Sequence, residues 1–127
     1  MNTDSQRLDL TLRLRVLRGG DVVMGPGRAD LLGHIEATGS IAAGGRRMNM
    51  SYKRAWALVE AMNATFNAPL VEAVKGGVGG GGARLTATGI QVLSAYRGLE
   101  RSIVRSGAEF LVELETALAV PPEVKDR

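Results

Sequence analysis

Residues 40–66 read SIAAGGRRMNMSYKRAWALVEAMNATF, and this stretch decides the fold. Ser40 and Ser51 each precede a run with helical spacing, and a serine hydroxyl at a helix start accepts one of the first unbonded amides. The first run, Ile41 to Met48, contains Gly44 and Gly45 and is intrinsically weak as a helix, so neighbours must hold it. Met48-Asn49-Met50 separates the runs, and asparagine is the best substitute for glycine where a turn needs positive φ. The second run puts Ala55, Trp56, Val59, Met62 and Phe66 on one face and stops before Pro69. Upstream, from about Arg28 to Thr38, Leu31, Leu32 and Ile35 fall at helical spacing, and Gly39 sits where a left-handed cap belongs. Helix, short helix, turn and longer helix in succession form the pattern of a helix-turn-helix, at 28–66.

The flanks complete the fold class. Leu8, Leu10, Leu12, Leu14 and Val16 alternate with Arg7, Asp9, Thr11, Arg13 and Arg15, a period of two that predicts a half-buried strand with a cationic polar face. Gly19-Gly20-Asp21 breaks it, Val22-Val23-Met24 suits a short return strand, and Gly25-Pro26-Gly27 is a further break, giving a strand region at 8–24. Leu70 to Val74 and Ala83-Arg84-Leu85 flank a glycine-rich tip and predict a hairpin, or wing, at 70–86. Thr86 suits the cap of a last helix whose apolar positions Ile90, Leu93, Tyr96, Leu99, Ile103, Phe110, Leu111, Leu114 and Leu118 run on to Pro121. Roughly thirty residues of such a helix, placed at 87–120, span about 45 Å at 1.5 Å per residue. That is more than a small core covers, and a partner chain is expected to cover the rest. The expected architecture is mainly α with a small β component (α+β), a winged helix-turn-helix in one domain with a long C-terminal dimerisation helix.

With 127 residues the chain has room for one such domain, and hydrophobic residues at 45% against 23% charged place it among folding sequences. Cysteine is absent, which excludes disulfides, thiolate metal sites and a cysteine nucleophile. The first residues lack the apolar stretch of a signal peptide and no run suffices to span a bilayer, so the expectation is a cytoplasmic protein without a membrane partner. The net charge of +3 is unevenly spread. Residues 1–98 carry twelve Lys/Arg against seven Asp/Glu, and residues 99–127 four against six, so the first part is where a polyanion would bind.

In a helix-turn-helix the start of the second helix enters the major groove. Here that start is Ser51-Tyr52-Lys53-Arg54, preceded by Arg46-Arg47, with no acid among them. The competing reading is an amphipathic helix pair with a solvated basic face. On the wing, Gly77, Gly79 and Gly80 let backbone amides approach a phosphate, flanked by Lys75 and Arg84, unless the tip is a loop without contacts. Gly77-Val78-Gly79-Gly80-Gly81-Gly82 also matches G-x-G-x-x-G, but a dinucleotide site needs a second parallel strand, and only one long helix remains after Gly82. No Lys-Ser/Thr follows, so no P-loop is present. His34, the one histidine, is flanked by apolar positions and suits a surface residue better than a ligand or base; no carboxylate pair is marked out as an acid/base couple, and no catalytic or metal residue is assigned. Trp56 shares the face of Val59 and Met62 and is expected in the core, which leaves Tyr52 as the aromatic that reaches DNA. The long helix mixes Arg101 and Arg105 with Glu100, Glu109, Glu113 and Glu115 on its polar face, which suits dimerisation rather than an anionic membrane.

At the residue level the chain resembles the N-terminal domain of the ModE molybdate-responsive regulators, related to the LysR-type winged helix. The matching residues are Leu12 to Arg15, Leu31-Leu32-Gly33-His34-Ile35 with Gly39-Ser40-Ile41, and above all Met50-Ser51-Tyr52-Lys53-Arg54-Ala55-Trp56. Met62-Asn63, Leu70-Val71-Glu72, the glycine run and Leu85-Thr86 with Gly89 continue the match. The resemblance implies a homodimer held by the terminal helix and first strand, with Leu12, Leu14, Leu93, Tyr96, Ile103, Phe110 and Leu114 at the interface. It also implies a palindromic operator on double-stranded DNA near molybdenum-related genes, read by the helix starting near Ser51. Gly44-Gly45-Arg46-Arg47 departs from the alanines usual in the bracing helix. The family's molybdate-binding domains would follow residue 120, whereas the sequence stops at Arg127, so no cofactor is assigned and molybdate finds no identifiable ligand residue. The alternative is a stand-alone winged-helix module that docks another protein without direct oxyanion sensing; an enzyme built on the glycine run is the third reading.

Overall fold

The computed structural model describes residues 7–75 and 82–120. The chain order is β1 (Val16–Arg18), β2 (Asp21–Met24), α1 (Pro26–Thr38), α2 (Ile41–Arg47), α3 (Tyr52–Thr65), β3 (Val71–Val74), β4 (Gly82–Leu85) and α4 (Ala87–Ala117). Two antiparallel hairpins, β1-β2 and β3-β4, accompany the four helices. Contacts divide the described residues into a unit of 13–98 and a smaller one drawn from 7–12 and 99–120.

The helix-turn-helix follows the sequence reading closely. Pro26 opens α1 at its first turn, where its missing amide costs nothing and its fixed φ suits a helix. Gly39 closes α1 at φ 72°, its amide donating to the Ile35 carbonyl at 2.7 Å. Ser40 Oγ accepts from the Ala43 amide at 3.0 Å to start α2, and Ser51 Oγ accepts from the Arg54 amide at 3.1 Å to start α3. Between them Asn49 takes φ 58°. Leu31, Leu32 and Ile35 of α1, Ala55, Val59 and Met62 of α3, and Leu70 form the centre of the core, with Val71, Ala83, Leu85 and Tyr96 around it. Burying each large aliphatic side chain contributes roughly 1.5–3 kcal/mol, and all of these belong to the larger unit.

The glycines of α2 are contact surfaces rather than weaknesses. A Cβ on Gly45 would come within 2.8 Å of Ala55 Cβ, and one on Gly44 within 3.1 Å of the Ile35 backbone nitrogen. The side chains are missing where α2 crosses α3 and α1, and the closeness of that packing offsets the poor helix propensity.

Two boundaries differ from expectation. The alternating segment from Leu8 is not a strand until Val16. The alternation persists in burial, with Leu12, Leu14 and Val16 half-buried and Arg13 and Arg15 exposed. A strand needs a hydrogen-bonding partner, however, and β2 offers only four residues before Gly25 and Pro26 turn the chain into α1. α4 stops at Ala117, short of Pro121. It contributes 87–98 to the larger unit and 99–117 to the smaller, where the Leu8 amide donates to Glu115 Oε2 at 2.8 Å.

The wing joins α4 through its base. The Thr86 amide donates to the Leu70 carbonyl at 2.9 Å, its hydroxyl donates to Pro69 at 2.6 Å and accepts from the Gly89 amide at 3.0 Å. A methyl on Gly89 would collide with the carbonyl of Leu70, a backbone group already tied down by Thr86. Gly89→Ala should therefore lower the stability by about 1–3 kcal/mol, the usual range for overpacking. Gly27→Ala, in open space on α1, should leave it unchanged or raise it by up to about 1 kcal/mol. Urea unfolding of the two variants checks this, and equal effects would contradict the packing described.

Candidate nucleic-acid interface

The start of α3 faces solvent because its opposite face is committed. Ala55, Val59 and Met62 recur at helical spacing and are buried, so Lys53 and Arg54 are turned away from the core, while Tyr52 shares their stripe one turn earlier, at the edge of the core. Tyr52 is 61% exposed, and its ring meets the edge of Trp56 at 6.2 Å between centroids. Trp56 is half-buried against the core, as its position on the apolar face predicts. Ser51, Lys53, Arg54, Arg46 and Arg47 are all exposed. No hydrogen bond or ion pair engages the side chain of any of the four cations among the described residues.

The wing stands beside this helix and is fixed to it. Asn63 Oδ1 accepts from the amides of Leu70, at 2.8 Å, and Val71, at 3.1 Å, while its Nδ2 donates to the Val71 carbonyl at 3.2 Å. On the other strand, the Ala83 amide donates to the Gly39 carbonyl at 2.9 Å. β3 is thus hydrogen-bonded to α3, and β4 to the turn that precedes α2. Between α2, α3 and the wing lies an open cleft of about 280 Å³, lined by Ile41 and Ala42, Tyr52 and Trp56, and Ala73 and Ala83.

The other sequence-selected residues are distributed differently. Lys75 is exposed at the end of β3. Arg84 is exposed, and its Nε donates to Glu72 Oε2 at 2.8 Å. Gly77, Gly79 and Gly80 lie outside the described residues. Leu14 and Leu93 pack partly buried against the core, and Tyr96, 3% exposed, donates its hydroxyl to the Leu14 carbonyl at 2.6 Å. Tyr96 is therefore occupied within its own chain. In the smaller unit Leu12 is half-buried, while Ile103, Phe110 and Leu114 are 37%, 59% and 58% exposed.

Sequence reasoning missed the clamp at Asn63 and the pairing of Arg84. The signal for Asn63 is faint: asparagine is a poor residue for a helix interior, and one placed there has its side chain free for other work. The glycine run is resolved by its surroundings, since β3 and β4 pair antiparallel from Val71–Leu85 to Val74–Gly82. That is the connection of a hairpin, whereas a dinucleotide fingerprint links parallel strands through a helix. Among the described residues no helix is long and apolar enough to cross a membrane.

A helix-turn-helix whose third helix is flanked by an anchored β-hairpin defines a winged helix-turn-helix domain. The fold is also that of CbnR, solved in full length in complex with its target DNA. The match has a TM-score of 0.50 at 23% identity and covers 65% of this chain and 27% of that one. By sequence the chain is similar to proteins named ModE and MopB. It is 42% identical over 99 residues to the molybdenum-pterin-binding protein MopB of Rhodobacter capsulatus, covering 78% of this chain and 35% of MopB. It is 41% identical over 87 residues to the DNA-binding transcriptional dual regulator ModE of Escherichia coli, covering 68% of this chain and 32% of that protein. The molybdenum transport protein ModE of Herbaspirillum seropedicae matches at 42% over 88 residues, 69% of this chain and 31% of that protein. The chain thus spans about a third of the length of these relatives. No family model matches it.

Removing the Asn63 side chain strands two backbone amides at the wing base. Asn63→Ala should cost about 1–3 kcal/mol, the usual penalty for an unsatisfied buried donor, and should speed hydrogen exchange at Leu70 and Val71. Unchanged exchange at those two amides would mean that the clamp does not hold the wing.

Proposed function

We propose that the chain is a ModE-type transcriptional regulator that binds double-stranded DNA as a homodimer, linked to molybdenum through the relatives it resembles. The observation that carries this reading is the set of four exposed, unengaged cations, Arg46, Arg47, Lys53 and Arg54, at the end of α2 and the start of α3. A face that docks another protein has no need of four free cations around one helix start. A groove lined by phosphates and base acceptors does.

In this reading Ser51, Tyr52, Lys53 and Arg54 enter the major groove, and Arg46, Arg47 and Lys75 hold phosphates. The glycine tip approaches the backbone beside the minor groove. The cleft between α3 and the wing seats the sugar-phosphate strand that separates the two grooves. Arg84 reaches a phosphate only by leaving Glu72. Two copies place their α3 helices in successive major grooves about 34 Å apart. Ile103, Phe110 and Leu114 form the surface that a second copy covers, since large apolar side chains left in water at helical spacing favour association.

Arg54→Ala should alter which base is preferred at one operator position, at a cost of about 1–3 kcal/mol for the preferred site. Lys75→Ala should weaken binding to all sequences alike and flatten the dependence of log K on log salt by about one unit. Binding assays on selected and random duplexes across a salt series check both. Equal, salt-independent losses would overturn the assignment of roles. Sedimentation should give roughly twice the 13.4 kDa chain mass, and Phe110→Asp combined with Leu114→Asp should reduce it to that of one chain. A monomeric unsubstituted protein would remove the homodimer from the reading.

A further inference from the structure

Glu72 and Arg84 stand directly opposite each other in the register of β3 and β4, joined at 2.8 Å. Their neighbours Val71, Ala83 and Leu85 are buried, so the pair lies on the solvent side of the hairpin, with side chains 45% and 68% exposed. An exposed cross-strand ion pair adds little to the stability of a hairpin, because water screens it and two side chains must be held still. Its larger effect is on charge. Lys75 and Arg84 are the described cations of the wing, and Glu72 engages one of them while every cation at the start of α3 is left free. Affinity for DNA of any sequence grows with the number of phosphates a protein neutralises.

We propose that Glu72 holds Arg84 away from the phosphate backbone and so limits the sequence-independent part of binding to duplex DNA. The proposal rests on the DNA-binding reading above. It concerns overall affinity, since a cation that touches only phosphate strengthens operator and random duplex alike.

The test is a four-member cycle of the unsubstituted protein, Glu72→Gln, Arg84→Ala and the double variant. Each is titrated against a fluorescent random-sequence duplex over a series of salt concentrations. Glu72→Gln should steepen the log K against log salt slope by about 0.9, the value of one added phosphate contact, and tighten random binding roughly fivefold to tenfold near 0.1 M salt. Arg84→Ala alone should leave the slope as it was, and the double variant should lose the whole gain. A Glu72→Gln slope equal to that of the unsubstituted protein would overturn the proposal. So would a gain that persists without Arg84, or a flatter slope in Arg84→Ala with Glu72 in place. If the unsubstituted protein fails to bind duplex DNA at low salt, the functional reading itself falls. If it binds and the cycle shows no coupling, only the role of Glu72 falls.

Discussion

Where α2 crosses α3, the backbone at Gly45 lies so close to Ala55 that even a methyl group would not fit. That contact sets how the two helices meet, and the orientation of α3 follows from it. With Ala55 against α2 and Val59 and Met62 in the core, helical periodicity turns Lys53 and Arg54 outward. Gly44 does the same against α1 near Ile35, so one pair of small residues locks three helices together. The wing is then added to a frame already fixed, through Asn63 to α3, through Ala83 to the turn at Gly39, and through Thr86 and Gly89 to α4. Each attachment uses backbone amides or carbonyls, which have little freedom to drift.

Much of this was legible in the sequence because it rests on local chemistry. Ser40 and Ser51 as caps, Gly39 and Asn49 in the left-handed region, and the spacing of Ala55, Val59 and Met62 each follow from a residue and its near neighbours. The extent of β1 was not legible, since alternation describes faces and says nothing of whether a partner strand exists. The value of Gly44 and Gly45 was also hidden: propensity marks them as weak points, and only the packing shows the space they save. Tyr96 fell on the apolar stripe of the last helix, but a stripe cannot say whether its own core or a second chain covers it, and the hydroxyl bond to Leu14 decides for the core. Arg84 looked like a free cation because its partner lies twelve residues away across a hairpin.

The charges divide into two populations with different consequences. Arg84 and Arg97 are paired with Glu72 and Asp30, whereas Arg46, Arg47, Lys53 and Arg54 have no partner among the described residues. Free cations cost little while they stay hydrated, and they keep their whole charge available for a polyanion. Likeness to ModE and MopB agrees with this distribution without supplying it, since the chain spans only about a third of those proteins.

The central claim is that the face built from the end of α2, the start of α3 and the wing is the one that meets DNA. Amide chemical shifts, followed by NMR as a duplex is added, report this residue by residue. The account predicts the largest changes at residues 46–54 and around Lys75, with the amides of α1 little affected. Changes centred on α1 or β1-β2, with the start of α3 left still, would contradict it.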